Sequence, residues 1–269
     1  MRQILFLLIL FTLTACQQET STETTEPGTD ALDATVEVAE STEVVVEPAF
    51  SLADSLAGRS EADRARDAGR KPAAVIEFLG IEPGMTVLDL FAASGWYTEV
   101  LSHAVGADGT VYAQNPGFML SMRDGANDKA MAARLAASTL GNIQRIDREI
   151  TDLGLTAESL DAALMALNFH DVYNSAGAEA AGGLLNAVYD ALKPGGVLGL
   201  IDHVGIAEND NAALHRIEKS KVLEVVQLTS FSVESESTLL SNLADDHSSG
   251  VFGPDIRGQT DRFLLRLKK

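Results

Sequence analysis

The segment VLDLFAASGWYTEVLS, Val87 to Ser102, constrains this chain more than any other. A short apolar run bounded by glycine, GMTVLDLFA, reads as a strand covered on both faces. After it the apolar spacing changes from that of a strand to that of a helix. Between the two lies a turn holding Gly95. A helix that starts straight after a strand leaves its first N–H groups free at the strand's carboxyl end, within reach of a ligand.

The alternation recurs along the chain. SEADRARDAGRKPAAVIEFLG opens on a Ser60 cap, places Val75, Ile76 and Leu79 at helical spacing, and is divided at Lys71-Pro72. Beyond the first strand the spacing predicts a helix at 95–105, a strand at 109–115 and a helix at 127–140. Strands at 142–147 and 160–167, a helix at 178–192 and the turn-strand KPGGVLGLIDH follow. Five such units imply an α/β fold with parallel strands, right-handed crossovers and helices on both faces. A helix at 212–228, the strand SFSVESE and the terminal strand TDRFLLRLK complete the pattern. Doubly wound sheets bind ligands at the carboxyl ends of their strands. That rule singles out Phe91 to Gly95, Gln114-Asn115, Glu149, Asn168 to Asp171, and Asp202-His203.

The amino terminus reads as a processing signal. Arg2 precedes an apolar run from Ile4 to Leu13, shorter than the roughly 20 residues that span a bilayer. The run ends in Leu13-Thr14-Ala15-Cys16, which resembles the bacterial lipoprotein box and implies lipidation of Cys16 as a membrane anchor. An ordinary signal peptide or an uncleaved anchor remains the alternative. Cys16 is the only cysteine, so no disulfide competes for it. Gln17 after the cysteine implies the periplasmic face of the outer membrane in a Gram-negative host. Residues 17–50 hold nine of the 39 carboxylates, and no Lys or Arg stands between Arg2 and Arg59. Three parts are expected: a signal peptide over 1–16, an acidic, self-repelling tether over 17–55, and one folded domain over 56–269. With a net charge of −19 and no basic stretch, nucleic acid is excluded as a partner. Nothing in the sequence speaks to oligomeric state.

Three segments, in order and spacing, resemble class I S-adenosylmethionine-dependent methyltransferases: VLDLFAASGWYTEVLS, LNFHDVY and LKPGGVLGLIDH. DRARDAGRKPAAVIEFLGIEPGMTVLDL, VYAQNP, NFHDVY, LHRIE and ADDHSSGVFGPDIRGQTDRF look more narrowly like a bacterial group of predicted methyltransferases. The resemblance covers about residues 58–269. It implies a Rossmann-like, mostly parallel seven-stranded sheet with an antiparallel final strand. It also implies S-adenosylmethionine as cofactor and a small-molecule or envelope substrate.

Aligned on Asp89, the resemblance puts Phe91 and Ala93 where glycines usually stand and keeps Gly95 at the third position. Asn115 falls where a carboxylate usually accepts the ribose hydroxyls and Glu149 near the adenine, while Trp96 and Tyr97, on the first turn of the helix, read equally as packing and as cofactor wall. Asp89 reads equally as a cofactor contact and as an acceptor for the turn amides. NFHDVY supplies the catalytic candidates, with His170 as base and Asp171 or Asn168 orienting substrate or ring. Asp202, His203 and His247 are candidate substrate contacts, while His103 reads as a surface residue and His215 as structural. Other readings stay open. All these polar groups can simply pin strand ends, and the domain can be a methyltransferase-like binding module without turnover. His170, Asp171, Asp202, His203 and His247 also contain donors enough for zinc or manganese, although no ligand spacing marks such a site and no metal ligand is assigned. Against activity stands the supply of the methyl donor, which is made in the cytoplasm.

Overall fold

The structure, a computed structural model, describes residues 51–269 apart from Leu140. The signal segment, Cys16 and the tether up to residue 50 lie outside the described residues. The first described element is α1 (Leu52–Leu56), capped by the Ser51 hydroxyl, so residues 52–55 of the expected tether are helical. Two short helices, α2 (Glu61–Arg64) and α3 (Asp67–Arg70), and then α4 (Pro72–Leu79) follow. Lys71 stands between the last two at φ 43°, and Pro72 begins α4, where its missing N–H costs nothing.

The alternation then runs as β1 (Thr86–Leu90), α5 (Trp96–Val105), β2 (Thr110–Gln114), α6 (Gly117–Ala137), β3 (Ile143–Ile146), β4 (Leu160–Ala166), α7 (Phe169–Ala191) and β5 (Leu192–His203). Helices α8 (Asn211–Leu214) and α9 (Lys219–Gln227) lead to β6 (Ser232–Ser237) and β7 (Arg262–Lys268). The seven strands form one sheet in the order β3-β2-β1-β4-β5-β7-β6. Strands β1 to β5 are parallel, and β7 is antiparallel to both of its neighbours. Strand order reverses between β1 and β4, which places the crevice of a doubly wound sheet at their carboxyl ends.

Burial on both faces explains the unbroken apolar runs. Val87, Val111, Leu164 and Ile201 pack with α4 and α5 on one side. Leu88, Leu90, Met165 and Leu200 pack with α7 and α9 on the other. Gly199 in β5 lets α4 approach, since a Cβ there would lie 2.5 Å from a Leu79 methyl.

Three elements differ from the sequence reading. α7 starts nine residues before the expected 178, so His170 and Asp171 sit on a helical first turn. Gly177, at φ 82°, interrupts that helix and hides its first part from a periodicity count. α6 likewise starts ten residues before the expected 127, with a non-helical break at Met122–Gly125. The single helix expected at 212–228 is two, because His215 turns left-handed at φ 55° and sends Arg216 inward.

Candidate active site

Two structures meet at the carboxyl edge of the sheet: the turn after β1, and a cluster of imidazoles and carboxylates after β4 and β5. In the turn, Phe91 and Ala93 both have φ 51° and Gly95 has φ 82°. The backbone therefore takes three left-handed steps, two of them on side chains that cost roughly 1–2 kcal/mol each there. Side chains from the end of β2 hold it. Phe91 N–H donates to Gln114 Oε1 at 3.1 Å, and Ala93 N–H donates to Asn115 Oδ1 at 2.7 Å. Asn115 Nδ2 donates in return to the Ala93 carbonyl at 3.2 Å. Both carboxamides are fully buried.

The Phe91 ring turns into the protein, where it is buried and lies 6.3 Å from the Phe118 ring. A Cβ on Gly95 would come within 2.9 Å of Met131 Cε, so this glycine also serves the packing of α6. The N-cap of α5 is Gly95, which has no side chain to cap the helix, and the Thr98 backbone within the first turn is engaged by Asp89.

Beneath the turn, buried Asp89 accepts a hydrogen bond from the Thr98 hydroxyl at 2.6 Å. Burial pushes its carboxyl up to about 7, against the opposing pull of that bond and of Arg70. Trp96 is buried under the amino-terminal helices, donates from Nε1 to the Asp63 carbonyl at 3.0 Å, and is flanked by three guanidinium groups. Arg70 is the nearest, 4.6 Å from the indole centroid, and it also stacks over Tyr97. Glu149 is exposed and accepts the Gly117 N–H at 3.1 Å.

The second structure centres on His170, buried on the first turn of α7. Its Nδ1 lies 2.7 Å from Asp202 Oδ1 in β5, and its backbone N–H donates to the other oxygen at 2.7 Å. Asp202 also accepts the His203 N–H at 2.7 Å and is fully buried. A carboxylate so committed fixes the ring with its proton on Nδ1. His170 Nε2 then points toward Asp171 Oδ1 at 3.2 Å, near enough to feel the charge but without a hydrogen bond of good geometry. Burial alone would lower this imidazole, but Asp202 and Asp171 outweigh it and push His170 up to about 10. At neutral pH it is an imidazolium.

Asp171 Oδ1 also meets His215 Nδ1 at 3.1 Å. His215 reaches this point because Ile217 bridges to Val204 beyond β5 and because Arg216 is anchored below. The Arg216 guanidinium grips Asp245 through two bonds of 2.9 and 3.0 Å, both side chains being inaccessible to solvent. His203 faces elsewhere. Its Nδ1 lies 2.7 Å from the Thr260 hydroxyl, which accepts from Arg262 Nε at 3.0 Å and so has its own proton to give. Burial, with Arg262 adding to it, pushes His203 well below the ordinary range, so the ring is neutral.

Of the residues singled out from sequence, His170, Asp171 and Asp202 thus come together, with the His203 ring 5.9 Å from that of His170. Asn168 is the residue before α7, and its amide donates to the Ala166 carbonyl at 2.8 Å. His247 stands apart, paired with Asp261 at 3.1 Å. Sequence reasoning missed Gln114 as a brace, Arg70 beneath the indole, and His215 as a partner of Asp171. His215 lies within the LHRIE segment singled out from sequence, where it reads as structural.

No family model matches the sequence, and no curated protein matches it. Among solved structures the chain is similar to a SAM-dependent methyltransferase from Aquifex aeolicus, with TM-score 0.57, 18% identity, and coverage of 81% of this chain and 98% of that one. It is also similar to the [4+2]-cyclase SpnF, with TM-score 0.54, 16% identity, and coverage of 77% and 80%. A third is CrArsM, an arsenic(III) S-adenosylmethionine methyltransferase from Chlamydomonas reinhardtii, with TM-score 0.52, 17% identity, and coverage of 82% and 74%. These likenesses establish the fold as that of the class I methyltransferases; a cyclase among them shows that the reaction must be argued from the site.

Proposed function

We propose that this chain is a methyltransferase that binds S-adenosylmethionine at the β1 turn and holds its acceptor at the mouth formed by His170 and Asp171. The observation that carries the reading is the turn itself. Phe91 and Ala93 are kept left-handed at an energetic cost, braced by two buried amides, in the place where this fold meets its ligand. When bound, the cofactor supplies a methyl group on a positively charged sulfur.

The chain's own residues do the rest. The turn from Phe91 to Gly95, its shape set by those internal bonds, and the start of α5 form the cofactor surface, with the Phe91 ring folded into the protein. Asp89 supports the turn from below, Asn115 and Gln114 fix its shape, and Glu149 stands at the β3 end of the crevice. Since His170 is an imidazolium, it orients an acceptor and favours its deprotonated form rather than taking up a proton. An acidic acceptor such as a phenol, thiol or carboxylic acid suits that charge. Exposed Phe252, whose ring centroid is 5.0 Å from that of His215, offers an apolar wall beside the mouth. Asn168, Asp202, His203 and His247 act by holding strand ends and loops in place.

The protein is further proposed to be anchored to the cell envelope through lipidated Cys16, facing the periplasm in a Gram-negative host. Incorporation of labelled palmitate that is lost in Cys16→Ser supports this; labelling that survives the substitution contradicts it.

A second reading, a binding module of the same fold without turnover, is favoured by one observation. The Asn115 amide is fully buried and both of its ends are turned to the Ala93 backbone rather than presented to a ribose. His170→Ala separates the two readings. Methyl transfer that disappears while donor affinity is kept supports the enzyme, whereas a wild-type chain that binds the donor and transfers nothing supports the module.

A further inference from the structure

The cluster beside β5, given an acceptor-holding role above, has a further feature. His170 Nε2 is a buried nitrogen without a hydrogen-bond partner, although its ring is only 2% exposed and its other nitrogen is fully engaged. An unsatisfied polar atom at such depth points to a missing partner. The atom is aimed at Asp171 Oδ1, 3.2 Å away, and that oxygen is in turn 3.1 Å from His215 Nδ1. One ligand atom from each of His170, Asp171 and His215 can be chosen so that all lie within 4.8 Å of one another.

We propose that His170, Asp171 and His215 form a binding site for one divalent transition-metal ion of the zinc class. Two imidazoles and one carboxylate suit a borderline ion that takes both nitrogen and oxygen donors. With ligand bonds of about 2.1 Å, the oxygen–nitrogen separations of 3.1 and 3.2 Å subtend a little over a right angle at the ion. The three donors therefore occupy neighbouring positions and leave the far side open to water or to an acceptor. Half-exposed His215 is the ligand with room to close the last separation.

The outer partners are those that metal-bound histidines usually have. Asp202 holds Nδ1 of His170 at 2.7 Å, which fixes the tautomer that presents Nε2. Arg216, locked to Asp245, fixes the backbone from which His215 projects. Asp171 and Asp202 flank one imidazole with two carboxylates, a charge that a divalent ion balances. His203 and His247 are not part of the group; Thr260 holds Nδ1 of the first and Asp261 holds Nε2 of the second. The ion would take the place of the proton on Nε2, so a chain that holds it carries a neutral, metal-bound His170 in place of the imidazolium. The site shares His170 and Asp171 with the proposed acceptor mouth, but metal binding is read without methyl donor and so fails or succeeds apart from methyl transfer.

Cobalt(II), followed by its visible absorption and displaced by zinc, tests it in the purified full chain without any methyl donor. The expected result is one equivalent per chain, with affinity falling at least tenfold in both His215→Ala and Asp171→Asn. Both residues are partly exposed, so the variants are expected to keep the wild-type circular dichroism. His103→Ala, a histidine on the opposite helical layer, should bind as the wild type does. Absence of saturable binding at millimolar cobalt overturns the proposal. Binding that persists unchanged in both variants also overturns it, because the ion then lies elsewhere.

Discussion

His170 and Asp202, 32 residues apart, are joined by two hydrogen bonds of 2.7 Å, one from the ring and one from the backbone. This pair couples the first turn of α7 to the end of β5, and Asp202 receives a third bond from the His203 N–H. Replacing Asp202 by Ala leaves three buried donors unmatched. Truncating one partner of a buried ionic pair costs about 3–5 kcal/mol, and urea denaturation of Asp202→Ala should show a loss of that size. A loss below about 1 kcal/mol would mean that water takes over the acceptor role.

The β1 turn carries strain that a single methyl group decides. Ala93→Gly removes the left-handed penalty at φ 51° while keeping the backbone bonds to Asn115. It should stabilise the chain by roughly 1 kcal/mol. Gly95→Ala should do the opposite, since its Cβ would press on Met131 at 2.9 Å. Equilibrium unfolding of the two variants reads both signs.

Asp89 gives a pH dependence of defined direction. Burial raises its carboxyl to about 7 in the folded chain from an ordinary 3.8. The folded state therefore binds this proton more tightly than the unfolded state does. Its contribution to stability is complete below about pH 4 and is lost as the pH rises through 7, a change on the order of 4 kcal/mol. In Asp89→Asn the stability difference between pH 4 and pH 8 should be correspondingly smaller. Parallel pH profiles for the two proteins would contradict the assignment.

Arg216 and Asp245 hold the segment that carries His215. Arg216→Ala leaves a buried carboxylate that still accepts the Asp261 and His247 N–H groups but has lost its cation. Stability should fall by about 3–5 kcal/mol. Protease cleavage within 245–251 should accelerate with it, because the Ser249 carbonyl loses its bond to Arg216 Nε.

The sheet was legible because its central strands are buried on both faces and therefore read as unbroken apolar runs; the expected strand at 160–167 ends one residue past β4, and GMTVLDLFA contains β1 with two extra residues at each end. The antiparallel place of β7 followed from family resemblance rather than from its pattern. Helix starts were harder. Gly177 breaks the periodicity of α7, and the early part of α6 is masked by non-helical residues at Met122–Gly125. Within the site, His170 could be named because it follows β4 and Asp202 because it stands at the carboxyl end of β5, yet their contact depends on register between the two strands. His215 was beyond reach. It joins the cluster only because Arg216 buries its charge against Asp245, 29 residues further along the chain.

The central claim is that the strained turn from Phe91 to Gly95 receives the methyl donor, and calorimetric titration of S-adenosylmethionine into the purified full chain tests it most directly. The account predicts saturable binding of one molecule per chain, weakened at least tenfold by Ala93→Leu, whose larger side chain at a left-handed, core-packed position would displace the turn. Absence of heat and of thermal stabilisation at millimolar donor, or an affinity indifferent to Ala93→Leu, would contradict it.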